Sequence, residues 1–287
     1  MQEFKPTTTS NSIKGDIDLL EVMKIIFGGK WIIFVCTIFM SISVVIFSLN
    51  LPNIYQSKAI LASAEASQSI SNSLKAYSGI ANLAGVNLPQ QGVDTNAAQA
   101  IQKFSSFSFF KNSIYTNIHL PELMALDSWN AESNSLVFDK NIYDNSTNTW
   151  VRKFAYPQQL VPSAQESFLK FKSNHMSLTE DSKNGFVTLK IRHQSPMIAK
   201  EWADLLVTEI NNFYRKRDKI EAEKAIEFLN EQMAITNFTQ TKQVVAQILQ
   251  QEIQKLTLIN ANKSYVFEYI DPPVVMEKRF TPNRAMI

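Results

Sequence analysis

The chain has 287 residues, with 28 Lys and Arg against 26 Asp and Glu, 45% apolar residues and one cysteine. A net charge of +2 offers no polybasic surface to nucleic acid, and an apolar content near the soluble average excludes both a disordered chain and a many-span membrane protein. The lone Cys36 excludes an internal disulfide and a thiolate metal cluster.

From Trp31 to Leu51 the sequence runs WIIFVCTIFMSISVVIFSLNL without a charge. As a helix this covers roughly 31 Å, enough for a ~30 Å hydrocarbon core. Lys30 and Trp31 stand where a snorkelling cation and an interfacial aromatic belong. The run is too long for the apolar region of a signal peptide, and the first Ala-x-Ala-like triplet, Ala62-Ser63-Ala64, follows it about ten residues late. An uncleaved anchor is therefore expected. Lys14, Lys24 and Lys30 precede the span, whereas Lys58 alone follows at a comparable distance, which predicts a cytoplasmic N-terminus.

Beyond the span, Asn53 to Ala62 reads as a strand. Leu74, Tyr77, Ile80, Ala81 and Ala84 keep helical spacing until Gly85 and Pro89. Asp94 or Thr95 caps a further helix through Ala97, Ala98, Ile101 and Phe104. Phe107, Phe109, Phe110, Ile114 and Ile118 are expected in the core. Residues 127–162 read as a polar, irregular loop whose Trp129, Tyr143, Trp150 and Tyr156 pin it to the core. Ser163 and Glu166 form a capping-box pattern.

Two alternating runs, Met176 to Glu180 and Phe186 to Arg192, flank turn residues Asp181 to Gly185 and predict a β-hairpin. Ser195-Pro196 then opens a helix that nothing interrupts until about Ala234. Its stripe is Ile198, Trp202, Leu205, Leu206, Ile210 and Phe213, continued by Ile220, Ala225, Ile226, Leu229 and Met233. At roughly 60 Å such a helix projects from a compact domain or pairs with other helices. The charged run Arg215 to Lys224, with Glu221 spaced to pair with Lys224, reads as a solvated face. After a break at Thr236 to Thr239, a second helix from Thr241 to about Asn260 completes an antiparallel hairpin. Tyr265 to Ile270 returns as a strand, and Pro272, Pro273 and Pro282 stiffen the tail against regular pairing.

No catalytic pattern emerges. His119, His175 and His193 are far apart in sequence and read as structural histidines, without H-E-x-x-H or a G-x-S-x-G elbow. Gly28-Gly29-Lys30 is followed by Trp31 where a phosphate loop needs Ser or Thr. Glu180 and Asp181 fall on a turn, where solvation is the default. The expectation is a protein that is not an enzyme, with no catalytic, cofactor-binding or metal-binding residue and no cofactor.

A set of short runs, taken in order, resembles the Wzz-type polysaccharide chain-length determinants, the polysaccharide co-polymerases. They are Asp16-Ile-Asp-Leu-Leu-Glu, Gly29-Lys30-Trp31 and Leu51-Pro-Asn-Ile-Tyr around the span, then Gly185-Phe-Val-Thr-Leu and His193-Gln-Ser-Pro-Met-Ile-Ala-Lys. Ala222-Glu-Lys-Ala-Ile-Glu-Phe-Leu, Asp271-Pro-Pro-Val-Val and Pro282-Asn-Arg-Ala-Met-Ile complete the set. Met276 departs from it, standing where the family pattern has a proline.

The resemblance implies an α+β, membrane-anchored protein: an N-terminal transmembrane helix, an α/β periplasmic base domain and a long extended antiparallel helical hairpin. The corresponding division is a cytoplasmic arm 1–30, a transmembrane helix 31–51, a base domain 52–195, a hairpin 196–262, and a return strand and Pro-rich segment 263–287. A second transmembrane helix is expected to follow. The implied function is non-catalytic regulation of lipopolysaccharide O-antigen chain length in the bacterial inner membrane. Implied partners are further copies of the chain, the O-antigen polymerase, the lipid bilayer and the growing polysaccharide, with no nucleic acid. Arg215, Lys216 and Arg217 in the hairpin, and Pro272 and Pro273 in the tail, are the residues where effects on that function are expected. The alternative is a capsule or exopolysaccharide co-polymerase, or an export adaptor coupled to a separate tyrosine kinase.

Overall fold

The structure is a computed structural model that describes residues 29–64, 95–262 and 264–284. The helix expected around Leu74 to Ala84 lies outside the described residues. The chain divides into two compact units, Met1–Leu51 with Asn283–Ile287, and Pro52–Pro282.

In the first unit, helix α1 (Lys30–Asn50) has no acidic residue in its first turn and no basic one in its last. It is long and apolar enough to cross a membrane, with a mean hydropathy of 2.7 over Lys30–Leu49. Its hydroxyls are satisfied internally: Thr37, Ser41 and Ser43 donate to the carbonyls of Ile33, Thr37 and Phe39, one turn back. Such back-bonding satisfies a hydroxyl on an otherwise apolar helix without water.

In the second unit, four strands form one antiparallel sheet. They are β1 (Tyr55–Ser63), β6 (Met176–Glu180), β7 (Val187–His193) and β8 (Phe267–Asp271), in the order β6-β7-β1-β8. Alternation decides the buried face. Ser57, Ala59 and Leu61 of β1 point inward opposite Ile191, Leu189 and Val187 of β7, while Lys58 and Lys190 face each other on the outer side. The β6–β7 turn closes as its sequence predicts, with Gly185 at φ +70° and the Asp181 amide donating to the Phe186 carbonyl.

Against the inner face lies the first half of helix α6 (Pro196–Ile235), which buries Ile198, Ala199, Trp202, Ala203, Leu206, Val207 and Ile210. Ser195 caps it, accepting from the Ile198 amide, and Pro196 fills the first turn. Around this core sit α2 (Thr95–Phe104), then α3 (Phe107–Phe109) running into a π-helical turn, Phe110–Ile114. Phe104, Phe109, Phe110, Ile114 and Ile118 are buried, but Phe107, expected in the core with them, is 40% exposed and lies edge-on to Phe168 at the periphery. Helix α4 (Leu120–Met124) follows, and α5 (Ala164–Lys170) continues into a second π-helical turn, Phe171–His175.

The loop expected over 127–162 is more regular than its composition implies. It contains two small hairpins, β2 (Leu126–Asn130) with β3 (Ser135–Phe138), and β4 (Tyr143–Asp144) with β5 (Thr149–Trp150). Trp129 packs edge-on to Tyr55 with centroids 5.4 Å apart, and Tyr143 packs on Trp150 at 5.1 Å, so these aromatics do pin the segment. Tyr156 does not: it is 96% exposed.

The Pro-rich tail makes no regular strand yet runs back beside β1. Ser57 donates to the Val274 carbonyl, the Ile54 amide to Thr281, and the Phe280 amide to Ile54. Residues 54 and 281 are therefore neighbours.

Candidate functional site

The second half of α6 and helix α7 (Thr239–Ala261) form the hairpin. Its inner face holds Tyr214, Asp218, Ala222 and Leu229 of α6 and Ile259 of α7. Of the expected stripe, Leu229 is buried and Ala225, Ile226 and Met233 are half-buried, but Ile220 is 41% exposed. Counting by turns from Leu206 and Ile210 leads to Tyr214, Asp218 and Ala222 instead, which puts an aspartate on the inside.

At the root of the hairpin this buried Asp218 is fully engaged. One carboxylate oxygen accepts from Arg217 Nε at 2.7 Å, the other from the Tyr265 hydroxyl at 2.6 Å. Arg217 lies over the Tyr214 ring at 4.5 Å, and Arg215 donates to the Asn262 carbonyl at 3.0 Å. One turn earlier, Asn211 clips β8 to the helix. Its amide donates to the Phe267 carbonyl, and its carbonyl accepts from the Val266 and Phe267 amides, all at 2.9 Å. Arg215 and Arg217 thus brace the root and are not a purely solvated run, while Lys216 is exposed. Glu221 pairs back to Arg217 at 4.0 Å, not forward to Lys224 as its spacing predicts, and Lys219 pairs with Glu223 at 3.9 Å. In the tail, Pro273 is buried and Pro272 exposed.

Further along the hairpin the outer faces are apolar. Phe228 and Ile235, two turns apart on α6, are 57% and 69% exposed, and Val244 and Ile248, one turn apart on α7, are also exposed. Phe238 at the bend is 78% exposed. A pair of helices cannot bury these side chains against each other, so the hairpin carries an unpartnered apolar surface.

The histidines fall in two places. His119 is exposed and lies 3.5 Å from Glu122. His175 and His193 are brought together in the core, packed against Trp202 with centroids 5.4 and 4.8 Å from it. His193 Nδ1 accepts from the Ser195 amide, which leaves Nε2–H to donate to the Glu122 carbonyl, and His175 Nδ1 donates to the Arg192 carbonyl. Each ring is thus hydrogen-bonded as a neutral imidazole. Burial lowers both to about 4. Glu122 shifts the opposite way, up to about 7, through burial and then the charge of Glu201.

The signs oppose. Between about pH 4 and 6.5 the unfolded chain binds more protons at the two histidines, so they lower stability as pH falls. Glu122 holds its proton longer in the folded chain, so its contribution is present at low pH and lost as pH rises through about 7. Two groups act in one direction and one in the other, so the net is a loss of stability on acidification between about pH 6.5 and 4. Glu122→Gln is expected to steepen that acid loss, read as Tm from pH 4 to 8; equal slopes for the two proteins would contradict it.

Glu180, expected on the turn, ends β6 opposite Val187, and Asp181 serves the turn, accepting from the Lys183 amide and the Asn184 side chain. No group of three or more His, Cys, Asp or Glu able to hold a metal occurs among the described residues. Asp218, Asn211 and Glu122 went unrecognised in the sequence; only the turn-by-turn stripe carried a signal, and only for Asp218.

Among known families, the chain length determinant protein model, Wzz, matches residues 15–115. That stretch carries the Wzz pattern. It takes in α1, β1, α2, α3 and the π turn after it, which is about a third of the chain. The Wzz-like runs from Gly185, Ala222, Asp271 and Pro282 lie beyond the match. Wzz proteins are polysaccharide co-polymerases, and this chain is similar to two solved structures of that class. A fragment of WzzB, a polysaccharide co-polymerase from Salmonella Typhimurium, is 17% identical, with 80% of this chain and 100% of that one covered and a TM-score of 0.36. A full-length bacterial polysaccharide co-polymerase is 13% identical, with 94% and 91% covered and a TM-score of 0.37. No curated protein matches the sequence.

Proposed function

We propose that this chain is a non-catalytic regulator of lipopolysaccharide O-antigen chain length. In this reading α1 anchors it in the inner membrane with the N-terminus cytoplasmic, and residues 52–282 lie in the periplasm as base and hairpin. Copies of the chain associate through the exposed apolar hairpin faces and work beside the O-antigen polymerase. The match of residues 15–115 to Wzz carries this reading. The unpartnered apolar side chains of Phe228, Ile235, Val244 and Ile248 support it, because self-association would cover them.

Deletion of the gene tests it. Lipopolysaccharide resolved by gel is expected to change from a ladder with a modal band to an unregulated, short-weighted distribution, restored by the gene in trans. An unchanged ladder together with altered capsule would overturn the O-antigen assignment in favour of the capsule or exopolysaccharide alternative.

A further inference from the structure

Apart from the hairpin, the base holds a cavity of about 780 Å³, within the ~300–1,000 Å³ range of small-molecule sites. Four cations from three separate segments line it: Lys140 after β3, Arg152 and Lys153 after β5, and Lys170 at the end of α5. One carboxylate, Glu166, answers them, and it is already taken. Both its oxygens accept from Arg152, whose Nε and second amino group are spent on the Leu160 and Gln159 carbonyls. Arg152 therefore shapes the wall, holding the 151–160 segment to α5.

None of the three lysines makes an ion pair among the described residues, although the charge of Glu166, whose oxygens are bonded to Arg152, acts on Lys170. Lys170 is half-buried and, among the described residues, donates to the Met124 carbonyl alone, at 3.2 Å, so donors remain for something else. Burial also lowers its affinity for its proton, the state that an anion in the cavity would reverse. Between the cations the wall is apolar, from Met124, Ile142 and Val151. An inorganic anion would leave that apolar wall uncovered.

We infer that this cavity is a binding site for an anionic sugar, one whose carboxylate or phosphate is held by Lys140, Lys153 and Lys170 and whose ring lies on Met124, Ile142 and Val151. The inference stands on the cavity and its charges, and holds whether or not the chain sets O-antigen length.

Titration calorimetry on the full chain in detergent, at low salt, tests it with glucuronate, glucose 1-phosphate and neutral glucose as probes. Both charged sugars are expected to bind and glucose not to; the tighter of the two charged sugars identifies the group preferred. Lys140→Gln with Lys153→Gln, both at exposed positions, is expected to weaken binding on the order of tenfold. Lys170→Gln is expected to do the same, with Tm measured alongside to confirm that the variant is folded. Equal binding of glucose, no binding of either charged sugar, or unchanged affinity in the Lys140/Lys153 double variant would overturn the inference. Inorganic phosphate binding as tightly as glucose 1-phosphate would overturn the role of the apolar wall.

Discussion

Trp202→Ala is expected to destabilise the 52–282 unit by about 3–5 kcal/mol, the range for deleting a large buried aromatic. Trp202 is 2% exposed and sits where α6 crosses the sheet, against Phe171 at 5.6 Å and the two core histidines. Trp202→Phe keeps most of the volume and is expected to cost about half as much or less. The midpoint of urea unfolding reads the difference. A secondary effect separates this from a generic core defect. Opening the cavity admits water to His175 and His193, so their depressed pKa values move back toward the ordinary range and the acid sensitivity of the variant flattens. A loss under 1 kcal/mol, or an unchanged acid slope, would contradict the packing described.

Asn211→Ala comes second, at about 2–4 kcal/mol. The substitution removes three hydrogen bonds and leaves the buried amides of Val266 and Phe267 without their acceptor, which costs more than the bonds themselves are worth. Hydrogen exchange localises the effect. Amide protection is expected to fall at Val266 and Phe267 while β7 keeps its own. Asn211→Asp retains the acceptor but sets a carboxylate against the Phe267 carbonyl, and is expected to lie between the two. Unchanged protection at Val266 and Phe267 would refute the clip.

Much of this architecture was legible because it rests on periodicity. The charge-free run of α1, the alternation of β7, the Asp181 to Gly185 turn and the Ser195-Pro196 start of α6 are each local signals, and each local preference agrees with the tertiary structure. The two small hairpins in 126–150 were hidden because their strands are two to five residues long and the second is held by the cross-strand Tyr143–Trp150 pair, which periodicity cannot register. The polar knots were hidden for another reason. Asp218 sits in a run of Arg and Lys that looks solvated, and its bond to Tyr265, 47 residues away, accompanies its burial. The cavity lysines come from three segments 13 to 30 residues apart, so nothing in any one segment announced them.

The meeting of residues 54 and 281 has a mechanical corollary. A tug on the two extremities of this unit would enter and leave at one spot and peel that seam bond by bond, in zipper fashion. Such geometry yields at low force, since each link is strained alone. The helical pair lies outside that load path, so tension on the extremities would open the β1–tail seam well before it reached the rod.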